Sequence, residues 1–119
     1  MHNSGTLTLL RFPSLSPPFY RDEHLFVDLR DRVVTLDNET VRLTRKEYRL
    51  LALLAQHLGE AVPRPMLLKR IRGHVPELSP RRMDIHIRRL RKKLGIYGKR
   101  RIEAVLGLGY RFRPALPRS

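Results

Sequence analysis

The sequence predicts an α+β fold: a small antiparallel sheet, then a three-helix core, then a closing β-hairpin. Three observations carry this. Short β-branched and aromatic runs divided by turn residues fill the stretch from Leu25 to Leu43. Apolar residues at helical spacing take over from Thr44 to Leu94. Beyond Leu94 the strand pattern returns on either side of Gly107-Leu108-Gly109. The 119 residues suit one domain with one modest core, and there is no internal repeat or heptad array.

Residues 1–22 stand apart as a linker or an irregular edge strand. Thr6-Leu7-Thr8-Leu9-Leu10-Arg11-Phe12 is a candidate strand, but Pro13, Pro17 and Pro18 are expected to block regular pairing after it. Leu25-Phe26-Val27-Asp28-Leu29 and Arg32-Val33-Val34-Thr35-Leu36 read as strands joined by a two-residue connection, Arg30-Asp31. Asp37-Asn38 makes the next turn, because both side chains tolerate left-handed backbone and bond to it locally. Glu39 to Leu43 is the strand that follows.

Thr44 and Glu47 form a capping box at the start of helix one, with Leu43 on Tyr48 as a hydrophobic staple. Glu47, Leu51, Leu54 and Leu58 share a stripe that Tyr48, Leu50, Leu53 and Ala55 widen; Gly59 ends the helix. Helix two follows Pro63, with Pro65 in its first turn, Leu67, Leu68 and Ile71 facing inward, and Gly73 at its end. A connection stiffened by Pro76 leads to helix three, with Ser79 as N-cap and Pro80 first in the helix. Ile96 to Arg100 reads as a loop. Arg101 to Leu106 and Tyr110 to Arg113 read as strands joined by a tight turn. The principal domain is therefore 23–114, with 115–119 as a tail.

Composition narrows the function. Twenty-five Lys and Arg against eleven Asp and Glu give a formal charge of +14, which concentrates polyanions near the surface. Nucleic acid, an anionic membrane and an acidic protein all fit that excess. There is no cysteine, hence no disulfide and no thiolate metal site. No apolar run reaches membrane-spanning length and the first residues lack a secretion-signal pattern. The expected location is the cytoplasm.

The charge is clustered rather than spread. Between Arg81 and Arg101 the basic residues crowd together, with Asp84 the single acid among them. At about 100° per residue, Met83, Ile87, Leu90 and Leu94 fall on one side of helix three, and Ile85, Arg88, Arg89 and Lys92 on the other. One side suits the core and the other presents cations. A single helix fits the major groove of B-DNA, where an arginine can bond guanine O6 and N7 together. Arg88 and Arg89 are best placed to do so, and Ile85 suits a thymine methyl group. Asp84, one turn before Arg88, is expected to orient it by an ion pair. Arg81, Arg82, His86, Arg91 and Lys92 lie at the margins and suit phosphate. A helix on a membrane surface would need its bulky apolar residues free to insert, and here the core requires them.

Catalysis has no foothold. His2, His24, His57, His74 and His86 are scattered without metal-ligand spacing, and there is no phosphate-cradling glycine loop, nucleophile elbow or carboxylate pair. No metal or other cofactor is expected. RNA would not admit helix three to its deep, narrow groove, and single-strand readers display stacking aromatics, of which only Tyr97 and Tyr110 lie nearby. The remaining competitor is a module that contacts proteins, such as RNA polymerase, without specific DNA readout.

Thr44-x-x-Glu47, Leu67-Leu68, the string Met83-Asp84-Ile85-His86-Ile87-Arg88-Arg89-Leu90-Arg91-Lys92-Lys93-Leu94 and Gly107-Leu108-Gly109-Tyr110-Arg111-Phe112 come in an order and spacing that resembles the effector domain of OmpR/PhoB-type response regulators, a winged-helix DNA-binding domain. The match spans about Leu25 to Pro114. The resemblance implies that helix three reads the major groove while the hairpin wing reaches the adjacent minor groove. By position it makes Arg89 the principal base reader and Ile85 the apolar base contact, with Arg81, Arg88 and Arg91 on phosphates. It further implies transcription regulation in a bacterial two-component system, association with the nucleoid, and head-to-tail dimers on direct repeats. The 73–79 loop matches one that some members use to touch RNA polymerase. Three departures stand out. Leu106 occupies a wing position where many relatives have arginine, leaving Arg111 and Arg113 to bind phosphates. Arg72 replaces a frequent tryptophan. No phosphoacceptor receiver accompanies the domain in these 119 residues.

Overall fold

The computed structural model describes residues 14–16, 19–72 and 79–115. The chain divides into two compact units, one holding an N-terminal sheet and the other running Arg42–Arg113. The candidate strand at 6–12, Gly73 and most of the 73–79 loop lie outside the described residues.

The first unit is a five-stranded antiparallel sheet in chain order: β1 (Ser14–Ser16), β2 (Phe19–Arg21), β3 (Leu25–Asp28), β4 (Val34–Leu36) and β5 (Glu39–Thr40). Tyr20, Val27 and Val34 sit opposite one another on neighbouring strands, and all three are buried. On the alternate face Arg21 lies 4.5 Å over the Phe26 ring. Regular pairing thus occurs where the prolines were expected to block it: Ser14–Ser16 pairs with Phe19–Arg21. The reason is positional, since the three paired residues fall between Pro13 and Pro17 and no proline must donate to the ladder.

The β3–β4 connection is also longer than Arg30-Asp31. The Asp28 carboxylate accepts the N–H groups of Arg30 and Asp31, both at 2.8 Å, and Arg32 takes a left-handed φ of 59°. The loop closes where Asp28 N–H donates to Val33 O at 2.7 Å. Asp28 therefore offers the backbone a local partner before a two-residue turn can form. The Asp37-Asn38 turn forms as expected, with φ of 50° and 71° and Leu36 opposite Glu39.

In the second unit α1 (Arg45–Gln56) begins at a complete capping box. Thr44 Oγ1 accepts from Glu47 N at 3.2 Å, and Glu47 Oε1 accepts from Thr44 N at 2.9 Å. Helix α1 packs on α2 (Arg64–Arg72), on α3 (Pro80–Lys93) and on a C-terminal strand. Leu50, Leu51, Leu53 and Leu54 from α1 meet burial with Leu67 and Ile71 of α2 and Met83, Ile87 and Leu90 of α3. Each such side chain contributes about 1.5–3 kcal/mol by leaving water.

Three further features of this unit differ from the sequence reading. Ile96 to Arg100 is not an open loop, because Tyr97–Arg101 forms a short helix, α4, stacked on α3. Gly98 permits that stacking: a Cβ there would stand 2.1 Å from the Arg91 carbonyl oxygen. The terminal hairpin, β7 (Ile102–Val105) and β8 (Gly109–Phe112), gains a third strand, β6 (Ala61–Pro63), which pairs with β8. Gly109 allows this approach, since a Cβ would lie 2.0 Å from Val62 O. The β7–β8 turn is Leu106-Gly107-Leu108 and not Gly107-Leu108-Gly109 as expected, because Gly109 pairs with Val105 in the ladder and Gly107 takes the left-handed φ of 76°.

Candidate nucleic-acid interface

Helix α3 is fixed from its first residue. Ser79 Oγ accepts from Arg82 N at 3.3 Å, which satisfies one of the amides left open at a helix start. Met83, Ile87, Leu90 and Leu94 are all fully or almost fully buried. That burial decides the orientation of everything else. Arg81, Arg82, Ile85, Arg88, Arg89 and Lys92 are exposed, and helical spacing places them within an arc of about 120°. Ile85 is 37% exposed among these cations. The predicted base-reading residues and most of the predicted phosphate residues therefore share one solvent-facing surface.

Asp84 does not pair with Arg88. Its Oδ1 accepts from Tyr110 OH on β8 at 2.8 Å and from Arg64 Nε at the start of α2 at 3.2 Å. Asp84 sits on the side of α3 next to the reading face and is directed toward those elements. Burial and the bond to Asp84 both push the Tyr110 hydroxyl's pKa up. The Arg64 and Arg91 guanidinia each lie 5.6 Å from the Tyr110 ring centre. One acidic side chain thus joins α3, α2 and the wing.

The other marginal residues divide. Arg91 is half-buried and donates from Nε to Ile102 O at 3.0 Å, so part of its guanidinium is already committed to the fold. His86 is half-buried, and its Nδ1 is buried with no hydrogen-bond partner. Burial lowers its pKa, helped by Lys46, Arg89 and Arg82 and opposed by Glu47. The lowered pKa favours the neutral ring, which is a weaker hydrogen-bond partner for an anion than a cation is. Lys93 turns away to Glu47 Oε1 at 2.6 Å, tying α3 to the cap of α1.

On the wing, Arg111 forks onto Glu103 Oε1, with Nε at 2.9 Å, and Arg113 stands 3.5 Å from Glu103 Oε2. The bond from Arg111 holds the Glu103 carboxyl below its ordinary range. Both predicted wing cations are thus partly neutralised by one acid. Leu106 is fully exposed at the tip, with Leu108 45% exposed beside it. Arg101, counted in the basic cluster, is buried and belongs to the packing of α4.

The sequence reading missed Arg64, Glu103 and Tyr110 as the residues that orient the interface. Their partners lie 8 to 26 residues away in the chain, and only the cross-strand spacing of Glu103 and Arg111 carried a local signal. Among the described residues, no group of three His, Cys, Asp or Glu could hold a metal ion, and no helix is long and apolar enough to cross a membrane.

Comparison with known proteins gives a consistent picture. Residues 38–112 match the family model described as "Transcriptional regulatory protein, C terminal". The transcriptional regulatory protein RstA of Escherichia coli is 39% identical over 95% of this chain and 49% of its own length. The phosphate regulon transcriptional regulatory protein PhoB of Pseudomonas aeruginosa is 38% identical over 74% of this chain and 38% of its own. The chain thus spans less than half the length of these curated relatives. Among solved structures, the response regulator DrrB of Thermotoga maritima, an OmpR/PhoB homologue, superposes with a TM-score of 0.73 at 31% identity, covering 81% of this chain and 44% of that one. The Klebsiella pneumoniae RstA DNA-binding domain, solved in complex with the RstA box, superposes with a TM-score of 0.70 at 35% identity, covering 82% of this chain and 98% of that domain.

Proposed function

The chain belongs to the family of transcriptional regulatory protein C-terminal domains, the winged-helix effector domains of OmpR/PhoB-type response regulators, and from that premise we propose that it binds specific double-stranded DNA sequences to regulate transcription. The observation that carries the reading is the solvent-facing arc of α3, which sets Ile85 among exposed arginines while the opposite side is locked into the core. Such a helix enters the major groove, and the wing comes to the adjacent minor groove.

Arg88 and Arg89 read base edges, with Ile85 on a thymine methyl group. Arg81, Arg82 and Lys92 hold phosphates, joined more weakly by His86, which is half-buried and favours the neutral form, and by Arg91, Arg111 and Arg113, whose guanidinium groups the fold already uses in part. The domain so employed is 23–114, acting in the cytoplasm on the nucleoid as a regulator rather than a catalyst. Binding as head-to-tail pairs on direct repeats, and contact of 73–79 with RNA polymerase, belong to the same proposal and rest on family membership.

The test is to select duplexes from a randomised pool with the full chain, then titrate the selected and a scrambled duplex. Arg89→Ala is expected to cost about 1–3 kcal/mol on the selected duplex and to relax preference at one base pair. Unchanged affinity of that variant for both duplexes overturns the assignment of Arg89. A full chain that selects no sequence favours the protein-contact module instead.

A further inference from the structure

Beyond the reading face, the C-terminal end of α3 and the start of α4 enclose an open cleft of about 530 Å³ lined by Arg88, Arg91, Lys92, Gly95, Ile96 and Lys99. Four of these six residues are cations and none is an acid. Helix ends usually oppose anions, because their last carbonyls are unpaired and carry the negative end of the dipole. Here the following turn pairs the carbonyls of Leu90, Arg91 and Lys92. Leu94 N donates to Leu90 O and Arg91 O, Gly95 N to Lys92 O, Tyr97 N to Leu94 O and Gly98 N to Gly95 O. The four cations of the lining outweigh the partial negative charge that remains at the helix end.

The cleft is also rigid where it needs to be. The Arg91 side chain is held by Ile102 O and lies over Tyr110. The close approach of Gly98 to the Arg91 backbone seats α4 against α3, and Lys99 follows directly in the chain. Ile96, 69% exposed, adds an apolar surface to the charged one. Convergent cations beside a small apolar surface suit a sugar–phosphate unit, in which the anion and the sugar's carbon face lie side by side.

We infer that this cleft is a second phosphodiester site, with Lys99 and Ile96 as its distinctive residues, gripping the backbone of the same duplex beyond the base pairs that α3 reads. The inference rests on the proposed DNA-binding reading and extends it past the recognition helix. Arg88 and Lys92 lie on both the reading arc and the cleft, so the two sites are continuous and the duplex is the occupant. The site adds affinity without sequence information, because every nucleotide presents the same backbone.

The experiment is salt-titrated binding of the full chain and of Lys99→Ala to the selected and scrambled duplexes, with phosphate-ethylation interference on the selected one. Lys99→Ala is expected to weaken both duplexes by the same factor and to reduce the slope of log K against log salt by about 0.9, the signature of one lost phosphate contact. One ethylated phosphate that impairs binding of the full chain is expected to be silent for Lys99→Ala. Unchanged melting of the variant shows that the fold is intact. If the full chain binds but Lys99→Ala keeps its slope and ethylation pattern, the cleft is not a phosphate site. If the full chain shows no salt-dependent binding to any duplex, the DNA reading falls and the cleft falls with it.

Discussion

Glu47 shows how much one residue can carry. Its carboxylate closes the cap of α1 through Thr44 N–H and also accepts from Lys93 at the far end of α3, while the residue is 1% exposed. Burial alone would raise its pKa, but the bonds from Lys93 and Thr44 outweigh it and the net direction is down. A carboxyl lowered in the folded state adds stability above its unfolded pKa, near 4.3 for glutamate, and loses it as pH falls through the folded value. We predict that Glu47→Gln lowers stability at neutral pH and flattens the acid limb of the stability curve. Urea unfolding across a pH series below about 5 checks this, and an unaltered acid limb in the variant would count against it. The cap itself was legible, because Thr44 and Glu47 lie three residues apart. The bond to Lys93 was not, because only the packing of α1 on α3 brings together residues 46 apart. Asp84 repeats the lesson: helical spacing offered Arg88, and tertiary contacts supplied Arg64 and Tyr110 instead.

At the scale of elements, the wing is restrained in charge as well as in position. Glu103 holds both Arg111 and Arg113, so two cations that face the proposed duplex are partly offset. Glu103→Gln is expected to release them, tightening binding to selected and scrambled duplexes alike and steepening the salt slope by up to about 2. Its cost to stability is expected to be small, since an ion pair at the surface is screened by solvent. Weaker binding by this variant in salt titrations would show that Glu103 aims the arginines rather than restrains them. The helices and the hairpin were readable because apolar period and caps agree over many residues. Strand β6 was not: it has three residues, ends in proline, and acquires its identity only by pairing with β8. Helix α4 escaped for a similar reason, being one short turn whose register is set by the contact of Gly98 with α3.

Across the whole molecule the charge is uneven. Six of the eleven acids, Asp22, Glu23, Asp28, Asp31, Asp37 and Glu39, fall in or beside strands β2 to β5, whereas most of the 25 cations lie in the Arg42–Arg113 unit. The formal charge of +14 therefore understates the field that one unit presents to a polyanion. With roughly five phosphates neutralised, log K is expected to fall against log salt with a slope of about −4 to −5. A salt-independent titration would remove the electrostatic basis of the reading. The net charge and its clustering were fully legible in the sequence, and so was the face of α3 that carries them. The division of those cations into free and committed groups was not, because it depends on where Glu103, Ile102 and Glu47 stand.

Asp84 has a consequence for time as well as for affinity. A single carboxylate fastens α3, the head of α2 and the wing strand β8, which couples the movement of helix and wing. On the proposed reading the complex loses its duplex in one concerted opening, and residence time is set by the joint rather than by either arm. Stopped-flow dissociation from the selected duplex is expected to follow one exponential for the unmodified chain. Asp84→Asn is expected to shorten the lifetime and split the decay into two phases, as the wing departs before the helix.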